Sequence, residues 1–489
     1  MKTEILRFER VTTKKDDVTL LNNFSLHLFQ GEITGLVCLN TFGRDSLLAL
    51  IRQNLPIHYG RIYFNGELVN HYQHSTLTLN KVAVIDRKCI LIEHLTVVDN
   101  IFVLRRGLRK FFINKRLLKK QLHRFTKEIG VRIAGDRLVA DLTPYEKCLV
   151  ELLRAIISGA KLIVVKDISN AISAAELSQL HELLRWFCGR GLSFLYICNH
   201  HEEAFKICDR MCLMQDGRII KKLDRKDFQH ENMFPYYIGK YANITKAEPA
   251  VTGKMTMLSF RGVSTQNLDS LTFHIAKGEC TVLLDSDNTM LADFLGLMSG
   301  EISPRSGSIW LGEERYAPKQ MHQAVAQGVA FIQENPTETM LFKELSYVRN
   351  LCFLIDRNQH PVRLSKRVIK SVIREYEPIV GQEIHETHIL NLKAESLYNL
   401  IYYSIHLYNP KLVICVQPFA GADMYLRVHI VELIQQLKRK GITVVILAMN
   451  IADSLMVADK LIQMQKGRLH AEYASREFGH FRSESTLIP

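Results

Sequence analysis

GEITGLVCLNTFGRDSLLALI, Gly31 to Ile51, is the stretch on which the reading of this chain turns. An apolar run leads into CLNTFGRDS, and a helix-like pattern follows. This is the layout of a phosphate-binding loop, GxxxxGK[ST]. In such a loop backbone N–H groups cradle phosphates, Lys neutralises them and Ser/Thr holds Mg²⁺. Here Cys38 takes the place of the first Gly, Arg44 that of the Lys and Asp45 that of the Mg²⁺-binding hydroxyl. Gly43 alone remains of the fixed residues. The stretch is either a nucleotide site or the remains of one.

The chain around it is a duplication. GRIYFNGE at Gly60 matches GSIWLGEE at Gly307, and GE at Gly31 recurs at Gly278, both 247 residues on. KLIVV at Lys161 matches KLVIC at Lys411, an offset of 250. ELLRWFCGRGLSFLYI at Glu182 matches ELIQQLKRKGITVVIL at Glu432, and DRMCLMQDGRII at Asp209 matches DKLIQMQKGRL at Asp459, again 250 residues on. Chance similarity does not keep one register across five landmarks. The spacing predicts a first domain at 1–240, a linker at 241–255 where Pro, Gly and polar residues gather, and a second domain at 256–489.

Within each half, short apolar strands alternate with amphipathic helices, which indicates an α/β domain with a largely parallel sheet. In the first half a β start (3–30) precedes a strand (33–38), a helix (44–54) and the hairpin GRIYFNGELV. A helical region follows, then strand KLIVV, helix AAELSQLHELLRWFCGR, strand SFLYIC and strand MCLMQDGRII. In such sheets ligands sit beyond the carboxyl ends of the strands, where CLNTFGRDS lies.

Composition sets bounds. The 489 residues call for about two to four domains. Hydrophobic content of 47% with 23% charged is that of a globular chain, not a disordered one. The net charge of +13 favours acidic partners or an anionic membrane face. The ten Cys show no CxxC pair and no metal spacing, so buried reduced thiols are expected. No apolar run approaches the length of a membrane span, and MKTEILRFER carries no signal-peptide core.

These residues, in order and spacing, resemble the ATPase subunit of ABC transporters, and more narrowly the tandem ATPase of ribose/galactose/xylose-type sugar importers. VAVIDRKCILIEHLTVVDNIFV (Val82 to Val103) is similar to that family's Q-loop segment, and HHEEAFKICDRMCLMQDGRII (His200 to Ile220) to the segment after its switch histidine. QGVAFIQENPTETMLFKELSYVRNL (Gln327 to Leu351) is similar to the matching segment of the second half. The resemblance implies two tandem ABC-type P-loop NTPase domains. Each would have a mixed or parallel sheet core and a helical subdomain, at roughly 90–160 and 335–405.

The resemblance also places the site. Its phosphate loop covers Asn40, Gly43, Arg44, Asp45 and Ser46, and the adenine-stacking aromatic falls near Lys15. The Q-loop Gln falls at Arg87, and the LSGGQ signature reads LTPYE, Leu142 to Glu146. The Walker B Asp and catalytic Glu fall at Lys166 and Asp167, and the switch His at Asn199 with His200 beside it. In the second half the loop reads LDSDNTMLAD without Gly, and Leu291 stands at the Lys position. LSGGN becomes LKAES, Leu392 to Ser396, the Walker B pair becomes Val416 and Gln417, and the switch segment reads ILAMN.

Physically, these replacements weigh against Mg²⁺ chemistry. Cys38, Thr41 and Phe42 crowd a cradle built on Gly. Asp45 puts a carboxylate where phosphates belong, and two like charges 4 Å apart repel by roughly 4 kcal/mol at an effective dielectric of 20. Arg44 can bind phosphate or pair with Asp45 or its surroundings. Lys166 puts a cation at a carboxylate position, free to bind a phosphate directly or to pair with Asp45 or Asp167. Asp167 is a shortened carboxylate and Asn199 cannot exchange a proton as His does.

The expectation is therefore weak ATP binding at most, in the first half only and without help from Mg²⁺, and weak or lost hydrolysis. The second loop, with Asp285, Asp287 and Asp293 and no cation, is expected to bind neither. Three functions remain open: a pseudo-ATPase subunit that regulates or scaffolds a membrane permease, a sensor or binding module without a permease, and a divergent working ATPase for sugar uptake. The resemblance implies permease partners, no nucleic acid, and a cytoplasmic place at the inner face of the cell membrane. RRGLRKFFINKRLLKK, Arg105 to Lys120, holds eight basic residues and no acid. It reads as a solvated face or as a contact for anionic lipid or an acidic protein. His200 and His201 read as a polar helix start, since adjacent residues point apart.

Overall fold

The computed structural model describes residues 2–87, 89–102, 115–236, 255–355, 365–451 and 453–479. The chain divides into two compact units, Met1–Tyr236 and Tyr237–Pro489. Apart from Met255, the expected linker lies outside the described residues, as do residues 105–114 of the basic segment.

The first unit carries two sheets. A five-stranded antiparallel sheet runs in the order Val18–Phe29, Glu4–Lys15, Tyr59–Phe64, Glu67–His71, His74–Ser75. Its leading strands alternate buried and exposed residues, as a sheet covered on one face does. The six-stranded sheet runs Arg218–Asp224, Arg210–Gln215, Ile33–Cys38, Ser193–Cys198, Leu162–Lys166, Val82–Asp86. All neighbours in it are parallel except the first pair. Ile33–Cys38 and Ser193–Cys198 are buried at every position, the mark of a strand covered on both faces.

The second unit repeats this plan. Its six-stranded sheet runs Arg468–Ala474, Lys460–Gln465, Cys280–Asp285, Thr443–Ala448, Leu412–Val416, Val329–Ile332. Leu162–Lys166 and Leu412–Val416 hold the same place in the two sheets, as the repeat predicted. In both units an Asp anchors the strand that feeds the loop. Asp209 accepts from Ile33 N and pairs with Arg185, and Asp459 accepts from Cys280 N and pairs with Lys438.

Helices Val97–Phe102, Lys115–Glu128 and Pro144–Ile157 fill the helical region of the first unit. Tyr347–Leu351, Lys366–Val380 and Ala394–Tyr408 do so in the second. One expectation needs correction. MCLMQDGRII is not one strand but a hairpin, Arg210–Gln215 against Arg218–Asp224, turning at Asp216–Gly217 with φ of 48° and 70°. Asp-Gly supplies the two left-handed residues that a tight hairpin requires. The ten cysteines are all unbridged, nine buried and Cys89 half-buried. Among the described residues no helix is long and apolar enough to cross a membrane.

Candidate functional site

CLNTFGRDS keeps its strand–turn–helix form: strand to Cys38, a turn, then helix Arg44–Arg52. Gly43 survives for a reason of packing. Its φ is +76°, and a Cβ there would lie 2.2 Å from the Leu20 carbonyl oxygen. A Cβ at Gly217 would also meet that carbonyl, at 2.0 Å, so the loop is packed closely against Leu20 whether or not it holds a phosphate. Asn40 ties the loop to the hairpin turn: its amide donates to Asp216 Oδ1 at 2.8 Å, and its Oδ1 accepts from Asp216 N at 3.2 Å. Ser46 Oγ lies 3.2 Å from Thr13 Oγ1.

The charged residues of the site meet one another, in pairs that the sequence reading did not assign. Arg44 Nη1 lies 3.2 Å from Asp167 Oδ2, both nearly buried, at 12% and 8% side-chain exposure. Lys166 Nζ pairs with Asp86 Oδ2 at 2.7 Å, not with Asp45 or Asp167. The register explains this, because Asp86 is the cross-strand neighbour of Lys166 on the adjacent parallel strand. Asp45 is exposed on the first helical turn. Arg87 follows directly on Asp86, half-buried at the strand end. Lys15, at the end of its strand, is exposed.

Asp167 has a left-handed backbone, φ 52°, and its N–H donates to Ile197 O at 3.0 Å. Gln417 in the second unit has φ 43° and donates to Leu447 O at 2.8 Å. The backbone of this position is thus kept in both units while its side-chain chemistry differs. Asn199 is buried beyond strand Ser193–Cys198. The helix does start at His201, but His201 is not on a polar face as expected: it is buried, its ring edge-on to Phe205 and 3.2 Å from Glu202. LTPYE has become a helix start. Thr143 and Glu146 form a reciprocal capping box at Pro144–Ile157, and Glu146 also pairs with Arg137.

In the second loop each carboxylate accepts donors from the chain itself. Asp285 is fully buried, and its carboxylate accepts from the N–H groups of Met290 at 2.7 Å, Leu291 at 3.2 Å and Asp287 at 3.3 Å. Burial pushes its carboxyl up, against the pull of these donors. Asp287 Oδ2 accepts from Lys466 N at 2.7 Å, and Asp293 accepts from Thr265 and Asn267.

Beside Asp167 lies a buried network that the sequence reading missed. Glu203 accepts from Tyr196 OH and from Ser169 Oγ at 2.7 Å, and His181 Nε2 lies 3.1 Å from Tyr196 OH. Burial, with the Asp167 charge adding to it, pushes the Glu203 carboxyl up to about 7. Burial, with Lys206 and Arg185 nearby, pushes His181 down to about 4. No periodicity links residues 181, 196 and 203, and only the strand–helix packing brings them together.

The residues fit Mg²⁺ poorly. The carboxylate expected on the Walker B strand is a lysine already engaged by Asp86, and the loop cation is engaged by Asp167. Among the described residues no group of His, Cys, Asp and Glu is placed to hold a metal.

The phosphate-loop strand order, the helical insertion and the position of the loop define a nucleotide-binding cassette fold, present twice. Residues 21–167 match the ABC transporter family. Over 490 aligned residues the chain is 23% identical to the ribose import ATP-binding protein RbsA of Caldanaerobacter subterraneus subsp. tengcongensis, covering 97% of each. It is 22% identical to the xylose import ATP-binding protein XylG of Moorella thermoacetica, covering 97% of this chain and 96% of that one. An archaeal ribosome recycling factor, solved in complex with a ribosomal stalk protein, shares the fold with a TM-score of 0.59 at 14% identity, over 98% of this chain and 92% of that one. Over residues 21–167 the chain is similar to the ABC transporter family, and over nearly its whole length to tandem ATP-binding proteins of sugar import.

Proposed function

We propose that the chain is the ATP-binding-cassette subunit of a sugar-import system, with a first-half site that binds nucleotide weakly and has lost its metal-dependent hydrolysis. Its role is then to regulate or scaffold a membrane permease from the inner face of the membrane. The names of its relatives, ribose and xylose import ATP-binding proteins, support the sugar-import setting. The observation that carries the loss of chemistry is the paired charge at the site: Arg44 with Asp167 and Lys166 with Asp86. A phosphate approaching Arg44 must compete with a nearly buried carboxylate, and Mg²⁺ would meet a lysine where it needs an oxygen ligand. Hydrolysis also needs a residue to orient water, and Asn199 in place of a histidine removes one candidate. The start of helix Arg44–Arg52, which carries no side-chain cap, favours an anion without metal.

Calorimetric titration of the purified chain with ATP, with and without Mg²⁺, tests this reading. One weak site per chain, indifferent to Mg²⁺, is expected. Two tight sites, or one tightened tenfold or more (about 1.4 kcal/mol) by Mg²⁺, would reject it. Recovery of permease subunits in a pull-down from solubilised membranes tests the setting. The basic segment, Arg105 to Lys120, is proposed as a contact for anionic lipid there.

A further inference from the structure

The second loop is more than an acidic remnant. Asp285 stands at the end of the strand that feeds it, at the place of Cys38 in the first unit. Its side chain crosses the loop and receives the N–H groups of Met290 and Leu291, five and six residues on, with Asp287 N–H completing the set. An ordinary helix cap takes N–H groups two or three residues ahead of itself. Asp285 instead reaches the donors at the far end of the loop, those that hold a phosphate in a working phosphate loop. Helix Leu291–Ser299 has no side-chain cap of its own at Met290, so Asp285 supplies the anion at its N-terminus.

The neighbouring acids do not share this task. Asp287 is turned to the Lys466 backbone and Asp293 to Thr265 and Asn267. Equivalent tethers exist in the first unit, where Asn40 accepts from Asp216 N and Ser46 meets Thr13. Only Asp285 enters the cradle, and there it is fully buried.

We propose that the Asp285 carboxylate is a tethered stand-in for a phosphate group, an autoinhibitory contact that keeps the second loop in its anion-bound form and shuts it to nucleotide. A carboxylate and a phosphate oxygen make the same demand on backbone N–H groups. The tethered group needs no encounter and no Mg²⁺, so the second unit is blind to nucleotide concentration. This inference is independent of the first-half reading, since it concerns other residues and a readout confined to them.

Hydrogen exchange of the full chain, followed by mass spectrometry over residues 285–295, tests it, with pyrophosphate as probe. In the wild type, millimolar pyrophosphate leaves exchange at Met290 and Leu291 unchanged. In Asp285→Ala these amides exchange roughly tenfold faster or more, the equilibrium effect of losing one charge-assisted hydrogen bond. Pyrophosphate then slows them again. Asp285→Asn keeps the shape without the charge, so its rise is smaller and pyrophosphate has no effect. Slowing by pyrophosphate in the wild type, or fast exchange in Asp285→Ala that pyrophosphate does not reverse, overturns the proposal. Should Asp285→Ala fail to fold, Asp285→Asn still decides, because wild-type exchange rates in it would show the charge to be immaterial.

Discussion

The two phosphate loops of this chain have been stabilised by opposite means. In the first, a cation at the old lysine position, Arg44, is held by Asp167, a carboxylate at the end of strand Leu162–Lys166, two strands across the sheet. In the second, the lysine position is Leu291, and a carboxylate from the strand itself, Asp285, fills the anion position. One loop supplies the protein's side of a nucleotide contact and the other supplies the ligand's side. Both keep the tether to the following hairpin turn, Asn40 to Asp216 and Asp287 to Lys466. The backbone of a phosphate loop is therefore a stable form in its own right, provided its charges are balanced from within.

The largest expected effect tests that balance. Arg44→Ala takes the guanidinium away from the nearly buried Asp167 carboxylate, and breaking a buried ion pair costs about 3–5 kcal/mol. Urea unfolding of the first unit reads this, and Arg44→Met combined with Asp167→Leu is expected to recover most of the loss. A loss below about 1 kcal/mol, the value of an exposed pair, would mean that the first loop does not depend on internal charge balance.

Next in size is a pH effect centred on the Glu203 network of the first unit. Glu203 titrates near 7 when folded against an ordinary 4.5, so between those values the folded chain holds more protons and stability falls as pH rises. His181 titrates near 4 against 6.5, so between those values the folded chain holds fewer protons and stability rises with pH. The two slopes, each up to about 1.4 kcal/mol per pH unit, oppose one another from about 4.5 to 6.5. Glu203→Gln removes the falling slope, so stability is expected to climb over that range in urea titrations. The position matching Glu203 in the second unit, 250 residues on, is Asp453, which pairs with Arg427 at 3.2 Å. Asp453→Asn is therefore expected to leave the first unit's profile unchanged. A flat profile in Glu203→Gln would show that His181 is not held neutral by its surroundings.

A third experiment asks whether lost metal chemistry is what separates the first loop from a working one. Asp45→Ser with Lys166→Asp restores a hydroxyl and a carboxylate where Mg²⁺ needs them. ATP affinity is expected to become at least about tenfold tighter with Mg²⁺ than without, roughly 1.4 kcal/mol. No Mg²⁺ effect would place the fault in the crowded cradle at Cys38 instead.

Much of this was legible in the sequence. The duplication announced two units, and short apolar strands between amphipathic helices announced a largely parallel sheet; the separate antiparallel sheet was not read from the sequence. The residue at each degenerate position could be read, but its partner could not. Lys166 meets Asp86 because two strands 80 residues apart lie side by side, a fact of strand order that no local pattern carries. Asp285 reaches N–H groups that have no side-chain signature. Glu203, Tyr196 and Ser169 meet only through packing of a helix on the sheet. The hairpin at Asp216–Gly217 did carry its signal, but the apolar residues on both sides read as one run.

LTPYE also carried a signal of its own, as Thr and Glu three apart before an apolar run announce a capping box. That signal allows a small test on both units at once. Thr143 and Lys393 are the residues before helices Pro144–Ile157 and Ala394–Tyr408. Their backbones match, with φ, ψ of −66°, 160° and −67°, 158°. Thr143 caps its helix through Glu146 N, while Lys393 gives no side-chain cap. Thr143→Ala is expected to destabilise the first unit by about 1 kcal/mol. Lys393→Thr is expected to stabilise the second by a similar or smaller amount, because the φ, ψ it needs is already in place. Thermal melts of the two variants against wild type measure both. A neutral Thr143→Ala together with a neutral Lys393→Thr would mean that neither former signature loop has been converted into, or is open to, service as a helix cap.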